Sequence, residues 1–96
     1  MPNYLRLPRF NRDWDRLSKP EHARFRAALA VFVTDLAAST GFRPGLRVKK
    51  MAGHDTWEMT WAPDSRATFS YGQPVKNGEV HIIWRRAGSH QIFTAP

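Results

Sequence analysis

Near the end of the chain, Val80-His81-Ile82-Ile83-Trp84-Arg85-Arg86 is followed by Ala87-Gly88-Ser89-His90. Two guanidinium groups that stay charged at any working pH thus stand a few residues from an imidazole that exchanges protons near neutrality. Guanidinium forks hold phosphate oxygens through paired hydrogen bonds, and an imidazole gives or takes a proton, so Arg85, Arg86 and His90 are equipment for phosphodiester chemistry. Arg66 joins them if its strand pairs with the last one. Glu58 reads either as a general base or as the partner of Arg66 or Arg47 in an ion pair, and the ion pair is the simpler reading. His54, in Ala52-Gly53-His54-Asp55, is a second acid/base candidate or a turn residue. Arg47, Lys49 and Lys50 add charge for an RNA backbone, and Phe93 either stacks on a base or anchors the C-terminus.

These groups need a scaffold, and hydrophobic spacing outlines one. Tyr4 to Leu7 reads as an extended segment or strand. Phe10, Trp14 and Leu17 recur at helical spacing, and Ser18-Lys19-Pro20-Glu21 has the form of a capping box, with Ser18 as N-cap and Glu21 reaching back. A second helix should begin there, with Phe25, Leu29, Phe32 and Leu36 on its apolar face and a stop at Gly41 and Pro44. After Pro44 the period falls to two. Leu46/Val48, Trp57/Met59/Trp61, Ala67/Phe69/Tyr71 and Val80/Ile82/Trp84 alternate with polar residues, Ala62-Pro63-Asp64-Ser65 makes a hairpin turn, and Pro74 with Asn77-Gly78 marks a longer loop.

The expected fold is therefore α+β: two N-terminal helices packed on one face of a twisted antiparallel sheet of about four strands, with residues 1–96 as one domain. The apolar members of each strand form the core. Arg47, Lys49, Glu58, Thr60, Arg66, Thr68, Ser70 and Arg85 form the opposite, mainly cationic face, where a site should lie. Thr68 and Ser70 read as ordinary solvated positions.

Composition narrows the partners. The 96 residues carry a formal charge of +7. Residues 1–42 hold seven Lys/Arg against four Asp/Glu and residues 43–96 hold eight against four, so the charge belongs to the whole body and favours a polyanion or an acidic protein. There is no cysteine, which excludes disulfides and thiolate metal sites, and four scattered histidines suggest no metal cluster. The longest apolar run, Ala27 to Val33, is far short of the roughly 20 residues of a membrane span. A cytoplasmic protein without membrane contact is expected.

Over nearly its whole length the chain resembles the RelE/ParE superfamily of bacterial type II toxins, and in particular its ribosome-dependent messenger-RNA endonucleases. The resemblance rests on the helical pair, Leu46-Arg47-Val48-Lys49, the hairpin Trp57 to Arg66, Phe69-Ser70-Tyr71, and most specifically Trp84-Arg85-Arg86-Ala87-Gly88-Ser89-His90-Gln91-Ile92-Phe93. It implies a catalytic histidine at His90 and a phosphate-contacting arginine at Arg66, with Arg85 or Arg86 as a further charge stabiliser and Glu58 or His54 as second proton-transfer group. It also implies cleavage without metal or cofactor, by attack of the nucleotide's own 2'-hydroxyl to leave a 2',3'-cyclic phosphate. The implied partners are the ribosome, messenger RNA and a cognate antitoxin, the last laid across the sheet or against the helical pair.

Two departures stand out. Phe93 lies where some relatives carry a functional tyrosine, and Thr60 where some place a histidine. Two other readings fit the same sequence: a toxin that inhibits gyrase, or a basic RNA-binding module that grips phosphates without chemistry.

Overall fold

The computed structural model describes residues 3–73 and 80–96. In chain order these form β1 (Asn3–Arg6), α1 (Pro8–Arg16), α2 (Lys19–Ala38), β2 (Lys49–Lys50), β3 (Trp57–Ala62), β4 (Ser65–Gly72) and β5 (His81–Ser89), with 3-10 turns at Pro44–Leu46 and His90–Thr94. The expected loop at Pro74 and Asn77-Gly78 lies outside the described residues. Among the described residues no helix is long and apolar enough to cross a membrane.

Local chemistry sets the helix boundaries. Proline in the first turn opens α1, where a missing N–H costs nothing, and Arg16 closes it at the negative end of the helix dipole. The His22 Nε2–H donates to the Trp14 carbonyl at 2.7 Å, and the two rings stack at 4.0 Å. The capping box at α2 is formed as expected: Glu21 N–H donates to Ser18 Oγ at 3.3 Å, and Ser18 N–H to Glu21 Oε1 at 2.9 Å. These bonds, the backbone one foremost, hold the Glu21 carboxyl below its usual range. The helix ends at Ala38, three residues before the expected glycine, because Ser39 itself takes the left-handed conformation (φ 57°).

In the last turn of α2 the Asp35 carboxylate collects the Arg43 backbone N–H at 3.0 Å and its guanidinium at 2.9 and 2.8 Å. These hydrogen bonds pull its pKa from 3.8 to about 2. A depressed carboxylate contributes stability above its unfolded pKa and loses it as pH falls through the folded value. Wild-type stability is therefore expected to decline between about pH 4 and pH 2 more steeply than that of Asp35→Asn. Urea titrations across that range check this, and parallel pH profiles would contradict it.

The sheet has five strands in the order β1-β5-β4-β3-β2 and is mixed, not four-stranded and antiparallel as the alternation suggested. β1 runs parallel to β5, with Asn3 opposite His81 and Arg6 opposite Trp84, and the other pairs are antiparallel. The strand expected at Leu46–Lys49 shrinks to Lys49–Lys50. Pro44-Gly45-Leu46 closes a 3-10 turn instead, and Arg47 follows in the left-handed region (φ 48°). Leu46 is still buried.

Helices and sheet meet in an aromatic core. The Trp84 ring lies 6.1, 5.7, 5.2 and 5.5 Å from the rings of Phe10, Phe25, Phe32 and Phe69, so one strand residue ties both helices to the sheet centre. Tyr71 and Val80, assigned to this core by alternation, are 44% and 37% exposed. Both sit at the same end of the sheet, past Phe69 and Ile82, the last inward side chains that are fully covered.

Alternation also breaks inside β5. Phe69 pairs with Trp84 and Thr68 with Arg86, so Arg85 is an extra residue, a β-bulge. Before it Ile82 and Trp84 point inward, and after it Ala87 does, each at most 3% exposed.

Candidate functional site

The polar face can be read as cross-strand rows. One row runs Lys49, Glu58, Thr68 and the Arg85-Arg86 bulge, and the next holds Thr60, Arg66 and Gly88; past it Ser65 pairs with Ser89, directly before His90, with the parity of the inward Ala67 and Ala87. A shallow cleft of about 280 Å³ follows the first two rows and is lined by Arg47, Val48, Lys49, Glu58, Thr60 and Arg66. Three cations and one carboxylate around an open cleft suit a phosphodiester backbone.

Arg66 is held in a useful posture. Its Nη1 donates to the carbonyls of Ala62, Pro63 and Ser65 at 3.4, 3.2 and 3.0 Å, which folds the side chain over the hairpin turn. Among the described residues, its Nε and Nη2 have no partner. Those two donors form the parallel fork that grips a phosphate side-on. Glu58 pairs with neither Arg66 nor Arg47. Its Oε1 lies 3.7 Å from Lys49 Nζ, whose side chain is 70% exposed, so the pair is loose and solvent-screened.

The bulge separates the two arginines that alternation could not tell apart. Arg85 continues the outward series of His81 and Ile83, and its Nε is buried without a hydrogen-bond partner among the described residues. The Thr68 hydroxyl, across from the bulge, is in the same condition. Thr68 is fully buried, contrary to its reading as a solvated position, because it lies on the central strand under the crowded bulge. Arg86 turns to the β5 edge and grips Asp13 through Nε at 2.7 Å and Nη2 at 3.1 Å, so of the two arginines left as alternatives by the sequence, Arg86 has its fork taken up by a carboxylate.

His90 is exposed and opens the last 3-10 turn, whose start is capped by Ser89 Oγ accepting from the Gln91 N–H at 3.3 Å. Phe93 packs edge-on against the His90 ring at 5.7 Å, so it neither lies open for a base nor sits fully in the core. His54 belongs elsewhere. Its loop precedes Trp57, which pairs with Phe69, four residues along β4 from Ser65, or about 13 Å. Lys50 lines a separate depression with His54 and Asp55. Arg47, Lys49, Glu58 and Arg66 thus line one cleft, and His90 follows Ser89, the partner of Ser65 next to Arg66; Lys50 and His54 line a separate depression. Among the described residues no group of three or more His, Asp or Glu side chains could hold a metal.

Sequence reasoning missed Thr68 and Asp13. Thr68 carried no signal beyond polarity in a strand. Asp13 did carry one, as a lone acid on the Phe10-Trp14-Leu17 stripe that α1 turns inward.

No protein-family model matches the sequence, and no curated protein is significantly similar to it. Solved structures are. YafQ in the Escherichia coli DinJ–YafQ complex aligns with TM-score 0.63 at 8% identity, over 95% of this chain and 96% of that one. The RelB–RelE antitoxin–toxin complex of Methanococcus jannaschii gives 0.60 at 16% identity over 95% of each chain. The fold is that of the RelE/ParE toxins. A metal-bound toxin from Helicobacter pylori shares it too, with TM-score 0.62 and 18% identity over 95% of this chain and 97% of that one. Identities this low leave the RelE/ParE fold as the common property, and what the face does must be argued from its own side chains.

Proposed function

We propose that this chain is the toxin of a type II toxin–antitoxin pair and a ribosome-dependent endoribonuclease that cuts messenger RNA. The observation that carries this reading is the order of groups along the polar face. Arg66, whose Nε and Nη2 have no partner among the described residues, lies in strand order between the row of Glu58 and the Ser65–Ser89 pair that precedes His90. In-line displacement at phosphorus needs a base near the attacking oxygen, an acid near the leaving oxygen on the opposite side, and cations on the phosphoryl oxygens between them.

Glu58 then takes the proton of the 2'-hydroxyl, and the O2'–P bond forms as the P–O5' bond breaks. His90 gives its proton to the departing 5'-oxygen. Arg66, with Arg85 behind it, stabilises the extra charge of the phosphorane. The products are a 2',3'-cyclic phosphate and a free 5'-hydroxyl. Arg47 and Lys49 hold neighbouring phosphates. His54 lines a depression separate from the cleft of Glu58 and Arg66 and takes no part in this proton transfer.

A second surface supports the antitoxin. Between the helices and β1 lies an apolar groove of about 290 Å³ whose lining includes Trp14, Leu29, Val33 and Leu36 and which is flanked by Arg6 and Arg26. Beside it, β1 is the sheet edge and exposes Tyr4 (68%) and Leu5 (51%). An acidic segment with an apolar face fits this groove, and an extended one can add to the edge. Two of the structures sharing the fold were solved with antitoxins, DinJ and RelB.

Primer extension on a message translated in the presence of the purified protein tests the reading. New in-frame ends are expected only when ribosomes are present, on fragments whose 3' termini are cyclic phosphates. Intact message in the presence of folded protein would end the nuclease reading and favour gyrase inhibition or plain RNA binding.

A further inference from the structure

The segment that carries His90 is fastened at both ends to one buried ion pair. Past Trp84, β5 has outrun β1, and the Ala87 N–H has no strand on that side to meet it. The Asp13 carboxylate, reaching over from α1, takes the place of that strand: its Oδ2 accepts from Ala87 N–H at 3.0 Å. The same carboxylate holds Arg86 side-on through Nε and Nη2. Arg86 in turn donates from Nη1 to the Ala95 carbonyl at 2.9 Å, and Arg9 from α1 donates to that carbonyl as well. Asp13 is 7% exposed and the Arg86 side chain 19%, so the pair is largely withdrawn from water.

Residues 87–95 therefore form a closed span, its first N–H and last carbonyl tied into the Asp13–Arg86 pair and His90 near its middle. Ile92, 5% exposed, pegs the span to the protein interior. Its Cγ2 lies 3.0 Å from where a side-chain carbon at Gly88 would be, so any other residue there would make the peg give by a few tenths of an ångström.

We infer that Asp13 and Arg86 are positioning residues for the proposed cleavage, acting as a clasp that sets where His90 stands relative to Arg66 without touching the RNA. This rests on the nuclease reading given above. A clasp of this kind acts on the rate of the chemical step more than on RNA affinity, because a displacement of about 1 Å at a proton donor costs on the order of a hundredfold in rate.

The test compares single-turnover cleavage on programmed ribosomes by the wild type, Asp13→Ala, Asp13→Asn, Arg86→Lys and Asp35→Ala. The last breaks the Arg43 pair, away from the polar face, and serves as the stability control. Asp13→Ala is expected to lower the maximal rate by about 10- to 100-fold with little change in the half-saturating ribosome concentration. Asp13→Asn and Arg86→Lys, which keep part of the bonding, should fall between it and the wild type, while Asp35→Ala keeps the wild-type rate. Should Asp13→Ala not fold, the two milder variants decide. An Asp13 variant as fast as Asp35→Ala overturns the inference. If the wild type itself cleaves nothing, the nuclease reading fails and the clasp is judged by NMR: shifted His90 ring signals and faster Ala87 amide exchange in the Asp13 variants uphold it, and unchanged ones overturn it.

Discussion

His90→Ala is expected to slow messenger cleavage by about 10²- to 10⁴-fold, the usual contribution of a positioned proton-transfer group. The leaving 5'-alkoxide is a poor leaving group without a proton, and no second imidazole stands at that end of the sheet. The His54 loop enters β3 at Trp57, whose partner Phe69 is about 13 Å along β4 from Ser65. The side chain is exposed, so its removal leaves no cavity, and a thermal melt should barely move. Rate and stability are thereby separated: a variant that melts like the wild type and still binds ribosomes but does not cut assigns the loss to chemistry. Cleavage within about threefold of the parent would exclude His90 from proton transfer. The Arg66→Ala variant should also be slow, with a smaller salt dependence of RNA binding, since it loses a phosphate contact as well as a charge stabiliser.

Trp84→Ala should be the most damaging single change to stability, at about 3–5 kcal/mol. Its ring is 3% exposed and is shared by Phe10, Phe25, Phe32 and Phe69, which come from both helices and the neighbouring strand. None of these can close the space without leaving another partner. For a domain whose whole stability is on the order of 5–15 kcal/mol, such a loss is a large fraction. Each 1 kcal/mol corresponds to about 4–8 °C in a chain of this size, so the melting temperature should fall by well over ten degrees. Tyr71→Ala, at the uncovered end of the same layer, should cost much less. Comparable shifts for the two would mean that the aromatic hub is not the centre of the core.

Where one physical rule acts alone, the sequence was a good guide. Helical spacing placed Phe10, Phe25 and Phe32 in the core, the Ser18–Glu21 box marked the start of α2, and alternation sorted β3 correctly. Reading failed where a long-range contact decides. β1 joins β5 as a parallel neighbour across nearly the whole chain, which no local pattern announces. Leu46 behaves as a core residue in a turn instead of a strand, because Pro44 and the left-handed Arg47 overrule a short alternation. Within the candidate site, the residue types at Arg66, Glu58 and His90 could be read, and so could the antiparallel pairing of the Arg66 strand with the last one. The division between Arg85 and Arg86 could not, since it depends on a bulge and on an aspartate 73 positions away in the chain.

That extra residue leaves the packing pattern untouched. Removing either arginine from the numbering would restore an unbroken two-residue rhythm with Trp84 and Ala87 still facing inward. The second arginine is thus an addition to the rung, giving one strand position two outputs, one toward the open face and one toward the helix at its flank. A chain shortened by one residue here would keep its interior and would have to give up either its guanidinium on the open face or its hold on the tail.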